Sequence, residues 1–248
     1  MNKNKKAQLA VFIIIALAII VAIALILVAV KSSKENNNVP IEVQPVNSFI
    51  EACVKQVAQE SIYNIGQTGG YFDLPEKSTK NNIAYHYYLK ENIMPSRAMI
   101  ESELEKYVDT MLFFCTKDFS EFNELEIRQG IIKTKTKIDD NQVIFNVIYP
   151  VSVTKGDKTY QLKEFNDIIV PVRLGIVYDM SYNMMIEQLK TEDICLSCIN
   201  DLAVDRDLFL DMRDYGVNKE DVIFTIIDRN SKINNEDYRF YFANKYKL

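Results

Sequence analysis

From Ala7 to Val30 the chain runs for 24 residues without one charged side chain, and only Gln8 among them is strongly polar. As a helix this stretch is about 36 Å long at ~1.5 Å per residue. The hydrocarbon core of a bilayer is ~30 Å thick, so the segment spans it with some tilt. The apolar region of a secretory signal is shorter, roughly 7–15 residues. A soluble core helix would show a polar side, and Phe12 to Val30 has none. Residues 7–30 therefore read as a transmembrane helix, and the lipid bilayer is the first partner the sequence implies. Lys3, Lys5 and Lys6 flank it on one side, and Lys31 and Lys34 with Glu35 on the other. That small basic bias places flank 1–6 in the cytoplasm and the bulk of a single-pass chain outside the cell membrane.

The rest of the chain is acidic. Of its 29 basic residues three lie in the first flank, leaving 26 against 34 acidic ones. Affinity for nucleic acid comes largely from neutralising phosphates, so an acidic domain without a basic stripe argues against nucleic acid as a partner. Residues 31–45 are polar, carry Pro40 and Pro45, and read as a tether. No linker-like stretch interrupts residues 46–248, which read as one extracytoplasmic domain.

Within that domain the period of the pattern changes twice. Ser48 and Glu51 form a capping box ahead of Ile50, Cys53, Val54, Val57, Ser61, Ile62 and Ile65 at helical spacing. Gly66 fits the left-handed position that closes such a helix. Gln67-Thr68-Gly69-Gly70 reads as a tight turn; it lacks the preceding strand and the lysine of a phosphate loop. Ile83 to Leu89 predicts a short aromatic strand. Pro95 and Ser96 open a second helix with Ile100, Leu104, Tyr107, Val108, Met111 and Cys115 inward and Glu101, Glu103, Glu105 and Lys106 mostly in water.

Alternation then takes over. Ile132 to Ile138, Val143 to Val153, and Tyr160 to Val172 are joined by turns at Asp139-Asp140-Asn141 and Lys155-Gly156-Asp157-Lys158, which predicts an antiparallel meander. Pro150 and Pro171 each remove a ladder donor and belong at edges or bulges. Leu174 to Lys190 and Ser197 to Ala203 return to helical spacing, with Met180 and Met184 as core fillers. Val222 to Ile227 and Tyr238 to Ala243 predict a last strand pair across a polar loop, Arg229 to Asp237. The class is α+β: one N-terminal transmembrane helix, then a helical section and an antiparallel sheet in one extracytoplasmic domain.

The four cysteines are the candidate chemistry. Cys53 and Cys115 lie on the apolar faces of two helices that should meet, and a bridge between them would contribute roughly 3–4 kcal/mol on the chain-entropy model. Cys195 and Cys198 form Cys-Leu-Ser-Cys. Three pairings are open for four cysteines. For Cys195 and Cys198 a structural disulfide or two buried thiols comes first, redox exchange at a helix N-terminus second, and zinc third. His86 is the only histidine and sits among tyrosines as a half-buried strand residue. No catalytic motif accompanies it, Asp139-Asp140 and Glu192-Asp193 read as solvated turns, and the sequence favours a non-enzyme with no cofactor.

Two resemblances add to this. Lys6-Ala7-Gln8-Leu9 resembles the leader of archaeal type IV pilins, which implies cleavage between Ala7 and Gln8 and assembly of the mature chain through its hydrophobic helix. Phe12 stands at the fifth mature position, where many pilins carry Glu. Phe49-Ile50-Glu51-Ala52-Cys53, Gly69-Gly70-Tyr71, Lys155-Gly156-Asp157-Lys158-Thr159-Tyr160, Ile194-Cys195-Leu196-Ser197-Cys198 and Phe242-Ala243-Asn244-Lys245-Tyr246 stand in an order that resembles uncharacterised single-span surface proteins of archaea. That likeness implies an envelope setting and transfers no catalytic residue. The expected function is a structural, adhesive or binding role at the cell envelope, with other envelope proteins or a second copy of the chain as partners. The alternatives are a pilin-like filament subunit and an extracytoplasmic thiol-disulfide oxidoreductase using Cys195 and Cys198.

Overall fold

A proline in the first turn of a helix costs little, because its missing N–H would have no intrahelical partner. Pro45 takes that position in α1, Gln44–Gln67. The computed structural model describes residues 39–190, 195–215 and 220–246. The 7–30 span, Lys6-Ala7-Gln8 and Glu192-Asp193 lie outside these residues. Among the described residues no helix is long and apolar enough to cross a membrane. Pro40 to Leu248 form one compact unit.

Helix α1 begins four residues before the expected capping box. Val43 and Val46 are fully buried, so the core draws the helix start upstream and Ser48 lies inside it. The expected tether thus ends sooner than Pro45: Val43 N already donates to Pro40 O at 3.0 Å in a turn of the domain. The other end also differs. Gly66 is helical and buried, and a Cβ there would lie 2.7 Å from Arg239 O. Its role is close approach, while the left-handed residues that turn the chain are Gly69 (φ 80°) and Gly70 (φ 94°). Gly70 N closes the helix on Ile65 O at 2.7 Å.

Helix α2, Arg97–Thr116, is capped as expected, with Ser96 accepting from Met99 N. It runs antiparallel to α1: Cys53 meets Cys115 at one level and Asn64 meets Tyr107 at another. Its acidic side corrects the expectation of a solvated face. Glu103 is buried, and its carboxylate accepts from Phe72 N, Asp73 N and Lys106 Nζ. Glu101 accepts from Ile138 N at 2.8 Å and Glu105 from Thr136 N at 3.0 Å. Asp109 faces Thr134 at the next rung. Carboxylates one turn apart thereby occupy the outward N–H groups of a strand, sealing an edge that would otherwise offer itself to another chain.

That strand is β4, Lys133–Ile138, in a sheet with β3, Glu126–Gln129, β5, Val143–Lys155, and β6, Lys158–Val170. All pairings are antiparallel. β3 and β4 lie end to end along one side of β5, and β6 runs along the other. Val143, Phe145, Val147, Tyr149, Val151 and Val153 form the buried face, as the alternation predicts. Pro150 sits in the central strand, at a break in the β5–β6 register and at the junction of β3 with β4. Pro171 follows the end of β6.

The second sheet has the order β2-β1-β9-β8-β7. Its strands are β1, Tyr85–Tyr88, β2, Glu91–Asn92, β7, Phe209–Tyr215, β8, Asp221–Ile233, and β9, Glu236–Lys245. β1 pairs parallel to β9, so this sheet is mixed. The expected loop Arg229 to Asp237 is mostly strand: β8 and β9 continue to Ile233↔Glu236. They turn at Asn234 and Asn235, both at positive φ, as a tight hairpin requires. Edge strand β7 was not foreseen. Helices α3, Leu174–Gln188, and α4, Leu196–Val204, match expectation, and Met180 and Met184 are buried. Helix α1 packs against α2, β6 and β9, so one helix touches both sheets.

Candidate functional site

All four cysteines are paired. Cys53 and Cys115 bridge α1 and α2 with Cα atoms 5.8 Å apart. Cys195 and Cys198 bridge within their own motif. The two bridges stand on different elements and form no joint site. Zinc coordination is set aside by this pairing, because a zinc ligand is a free thiolate, and the described residues hold no group of three or more His, Cys, Asp or Glu side chains placed for a metal.

Cys195 is the N-cap of α4, and its Sγ accepts from Cys198 N at 3.3 Å. Ser197 Oγ lies 3.6 Å from the same sulfur. Between the cysteines, Leu196 and Ser197 are exposed. The other end of this helix is pinned. Arg173 donates to the carbonyls of Arg206 and Asp207 at 3.3 and 3.1 Å, and its guanidinium makes a two-pronged pair with Asp228. Asp228 is fully buried and also accepts from Ser231 Oγ and Asn230 N. This network joins the β6–α3 connection, β8 and the end of α4. The sequence reading missed it, since Arg173 and Asp228 stand 55 residues apart and no local pattern pairs them.

The Cys53–Cys115 bridge lies in a groove of about 420 Å³ between α1 and α2. Phe49, Ala52, Gln56, Met111 and Phe114 line it with the cysteines. Its aromatic floor is fixed from below. Phe49 packs edge-on against Phe119 and Phe122 at 6.1 and 5.5 Å, and Phe119 stacks on Tyr149. Tyr149 is fully buried and hydrogen-bonds Gln129 and Thr116. Above this floor Phe114 is 62% exposed and Phe113 46%. Sequence periodicity counted Cys115 and Met111 inward but gave no sign that the neighbouring pair of phenylalanines faces out.

His86 is wholly buried, not half-buried as expected. It stacks on Phe242 at 4.6 Å, and its Nε2 lies 3.0 Å from Gly69 O. Nδ1 has no partner. Burial lowers its pKa from the usual 6.5 to about 4, against a smaller raising effect of the Gly69 carbonyl. The unfolded chain therefore takes up a proton near pH 6.5 that the folded chain refuses until about pH 4. Stability is expected to fall across that window as pH drops, by on the order of 2–3 kcal/mol. His86→Gln removes the titrating ring, so its urea-unfolding midpoint should change less than the parent's between pH 6.5 and 5. An equal slope in both proteins would refute this role. Packed at 0% exposure between Phe240, Phe242 and the Gly69 carbonyl, the ring reads as a core residue.

Comparison of the chain with protein-family models, with curated proteins and with solved structures finds no match. The functional reading therefore rests on the residues themselves.

Proposed function

We propose that this chain is a single-pass envelope protein whose 7–30 helix anchors a disulfide-bonded domain outside the cytoplasm, where the domain has a structural, adhesive or binding role. The observation that carries the reading is the pairing of all four cysteines. Disulfides persist in oxidising compartments and are rare in the cytosol. The uncharged 7–30 stretch and its basic flank support the same topology.

Intact-mass measurement of native protein extracted with detergent tests the reading. Full length at the N-terminus, with a mass four hydrogens below the reduced chain, is the expected result. Loss of residues 1–7 would favour the pilin-like alternative, with cleavage between Ala7 and Gln8. Free thiols in the native protein would count against an exterior location.

One observation favours a second reading, thiol-disulfide exchange at Cys195 and Cys198. The backbone N–H of Cys198 points at Cys195 Sγ. In the reduced state this donor and the α4 N-terminus would favour a Cys195 thiolate. That thiolate would attack a substrate disulfide, release one substrate thiol, and be resolved by Cys198 with release of the second. Equilibration with glutathione buffers separates the readings. A structural bridge stays oxidised to below about −300 mV, whereas exchange catalysts fall between about −270 and −120 mV.

A further inference from the structure

The end of helix α1 packs against β9, and the two leave a cleft of about 570 Å³ beside their contact. Tyr63 and Gln67 line it from the last turns of α1, four residues apart and so on one side of the helix. Asp237, Arg239 and Tyr241 line it from β9. They alternate along that strand with Tyr238, Phe240 and Phe242, which are buried on its other face. Asn235 and Glu236 extend the lining into the β8–β9 turn.

The two walls are fixed by packing. Gly66 brings α1 so close to β9 that a Cβ there would stand 2.7 Å from the Arg239 carbonyl oxygen. Tyr241 packs against the buried cluster of Ile83, Tyr85 and Ala243. A site already held in shape loses less freedom when a ligand arrives. Tyr63 is 41% exposed on the opposite wall, so its ring is open to contact.

The lining narrows the class of ligand. Each of its side chains ends in a hydroxyl, amide, carboxylate or guanidinium, and none is aliphatic. Among the described residues only Asp237 of this set has a side-chain hydrogen-bond partner, Lys232. That ion pair cancels, and Glu236 and Arg239 carry opposite charges, so the cleft has no net charge. An anion would lie beside two carboxylates and a cation beside a guanidinium. An acyl chain or apolar peptide would strip water from these groups and return no hydrogen bonds. A neutral ring rimmed with hydroxyls satisfies both kinds of group. It donates to carboxylates and accepts from the guanidinium and amides. Its C–H face rests on a tyrosine ring, whose own hydroxyl stays hydrogen-bonded at the edge. The volume falls within the range of about 300–1,000 Å³ usual for small-ligand sites.

We infer that the cleft between α1 and β9 binds a neutral saccharide, with Tyr63 and Tyr241 as ring platforms and Gln67, Glu236 and Arg239 as partners of its hydroxyls. The inference deepens the binding role proposed above and rests on that reading.

The full chain in phosphatidylcholine nanodiscs, which bring no sugar headgroup, is titrated with maltose, cellobiose and chitobiose. Saturation-transfer NMR reports which sugar protons lie against the protein. Expected is binding of at least one of the three with a Kd of about 1 mM or below, with the largest transfer to ring C–H protons. Tyr63→Ala and Arg239→Ala should each weaken it by about tenfold or more. Both side chains are exposed, so an unchanged Tm is expected to accompany the loss. Tyr63→Phe keeps the ring and should bind within about threefold of the parent. No transfer to any of the three sugars at roughly 10 mM would overturn the inference, and would leave the anchor standing if the chain is in the discs. Binding that survives both alanine variants would place the sugar elsewhere and overturn it too. Tighter binding of glucose 6-phosphate than of the neutral sugars would contradict the charge argument. A chain that binds sugar but does not enter the discs would support the cleft and overturn the anchor.

Discussion

Asp228→Ala is expected to be among the most destabilising single substitutions in the domain, at about 3–5 kcal/mol. The side chain is fully buried, and its two oxygens receive Arg173 Nε, a second guanidinium nitrogen, Ser231 Oγ and Asn230 N. Removing it leaves a guanidinium only 17% exposed in its side chain without its hydrogen-bonded carboxylate partner. A guanidinium keeps its proton with or without a neighbouring carboxylate, so the cation cannot escape by neutralising itself. The loss also reaches further, because Arg173 holds the Arg206 and Asp207 carbonyls in the turn that follows α4. Thermal unfolding under non-reducing conditions should show a Tm lower by about 10 °C, at roughly 2–4 °C per kcal/mol for a domain this size. Asp211→Ala is the control. Its partner Arg213 is 79% exposed, and such surface pairs contribute about 0–1 kcal/mol. The double variant Asp228→Leu/Arg173→Met should recover much of the loss, since apolar replacement of a buried pair is often close to neutral. A change below about 1 kcal/mol in Asp228→Ala would mean that the network does not hold these elements together.

The second large effect concerns the Cys53–Cys115 bridge. It closes a 62-residue separation, and the double Cys→Ala variant should lose roughly 3–4 kcal/mol. The same treatment of Cys195 and Cys198, three residues apart, should cost only about 2 kcal/mol or less, because a short loop has little closure entropy to lose. Urea unfolding of both variants measures the contrast. Equal losses would show that chain entropy is not the main contribution. In the parent, reductant should therefore affect stability chiefly through the α1–α2 bridge, whose removal frees the aromatic floor formed by Phe49 and Phe119. The short bridge would then be the one available for exchange at little cost to the fold.

Much of this architecture was legible because local patterns carry it. The helical spacing of Ile50 to Ile65, the Ser96 cap and the strict alternation of Val143 to Val153 are nearest-neighbour signals, and each element stands where they point. Two apolar faces seeking one core made a Cys53–Cys115 bridge one of three open pairings, and the structure selects it. Features that depend on distant partners stayed hidden. The parallel register of Tyr85 to Tyr88 on Ala243 to Lys245 has no local mark, and a charged face on α2 looks solvated until a loop and a strand edge arrive to bind Glu103, Glu101 and Glu105. The polar run Arg229 to Asp237 read as a loop because Arg229, Asn230 and Lys232 do face water; the turn residues Asn234 and Asn235 at its centre were the available hairpin signal. The candidate site divides the same way. The cysteines were visible as residues, but no local pattern marked Phe113 and Phe114 as facing out.

Protease applied outside intact cells tests the central claim most directly, namely that an N-terminal span holds this domain on the exterior. Cleavage ahead of Pro40 should release a folded fragment containing both disulfides, while the 7–30 segment stays with the membrane and is recovered only in detergent. A chain that remains intact until the cells are lysed, or full-length protein that is freely soluble without detergent, would contradict it.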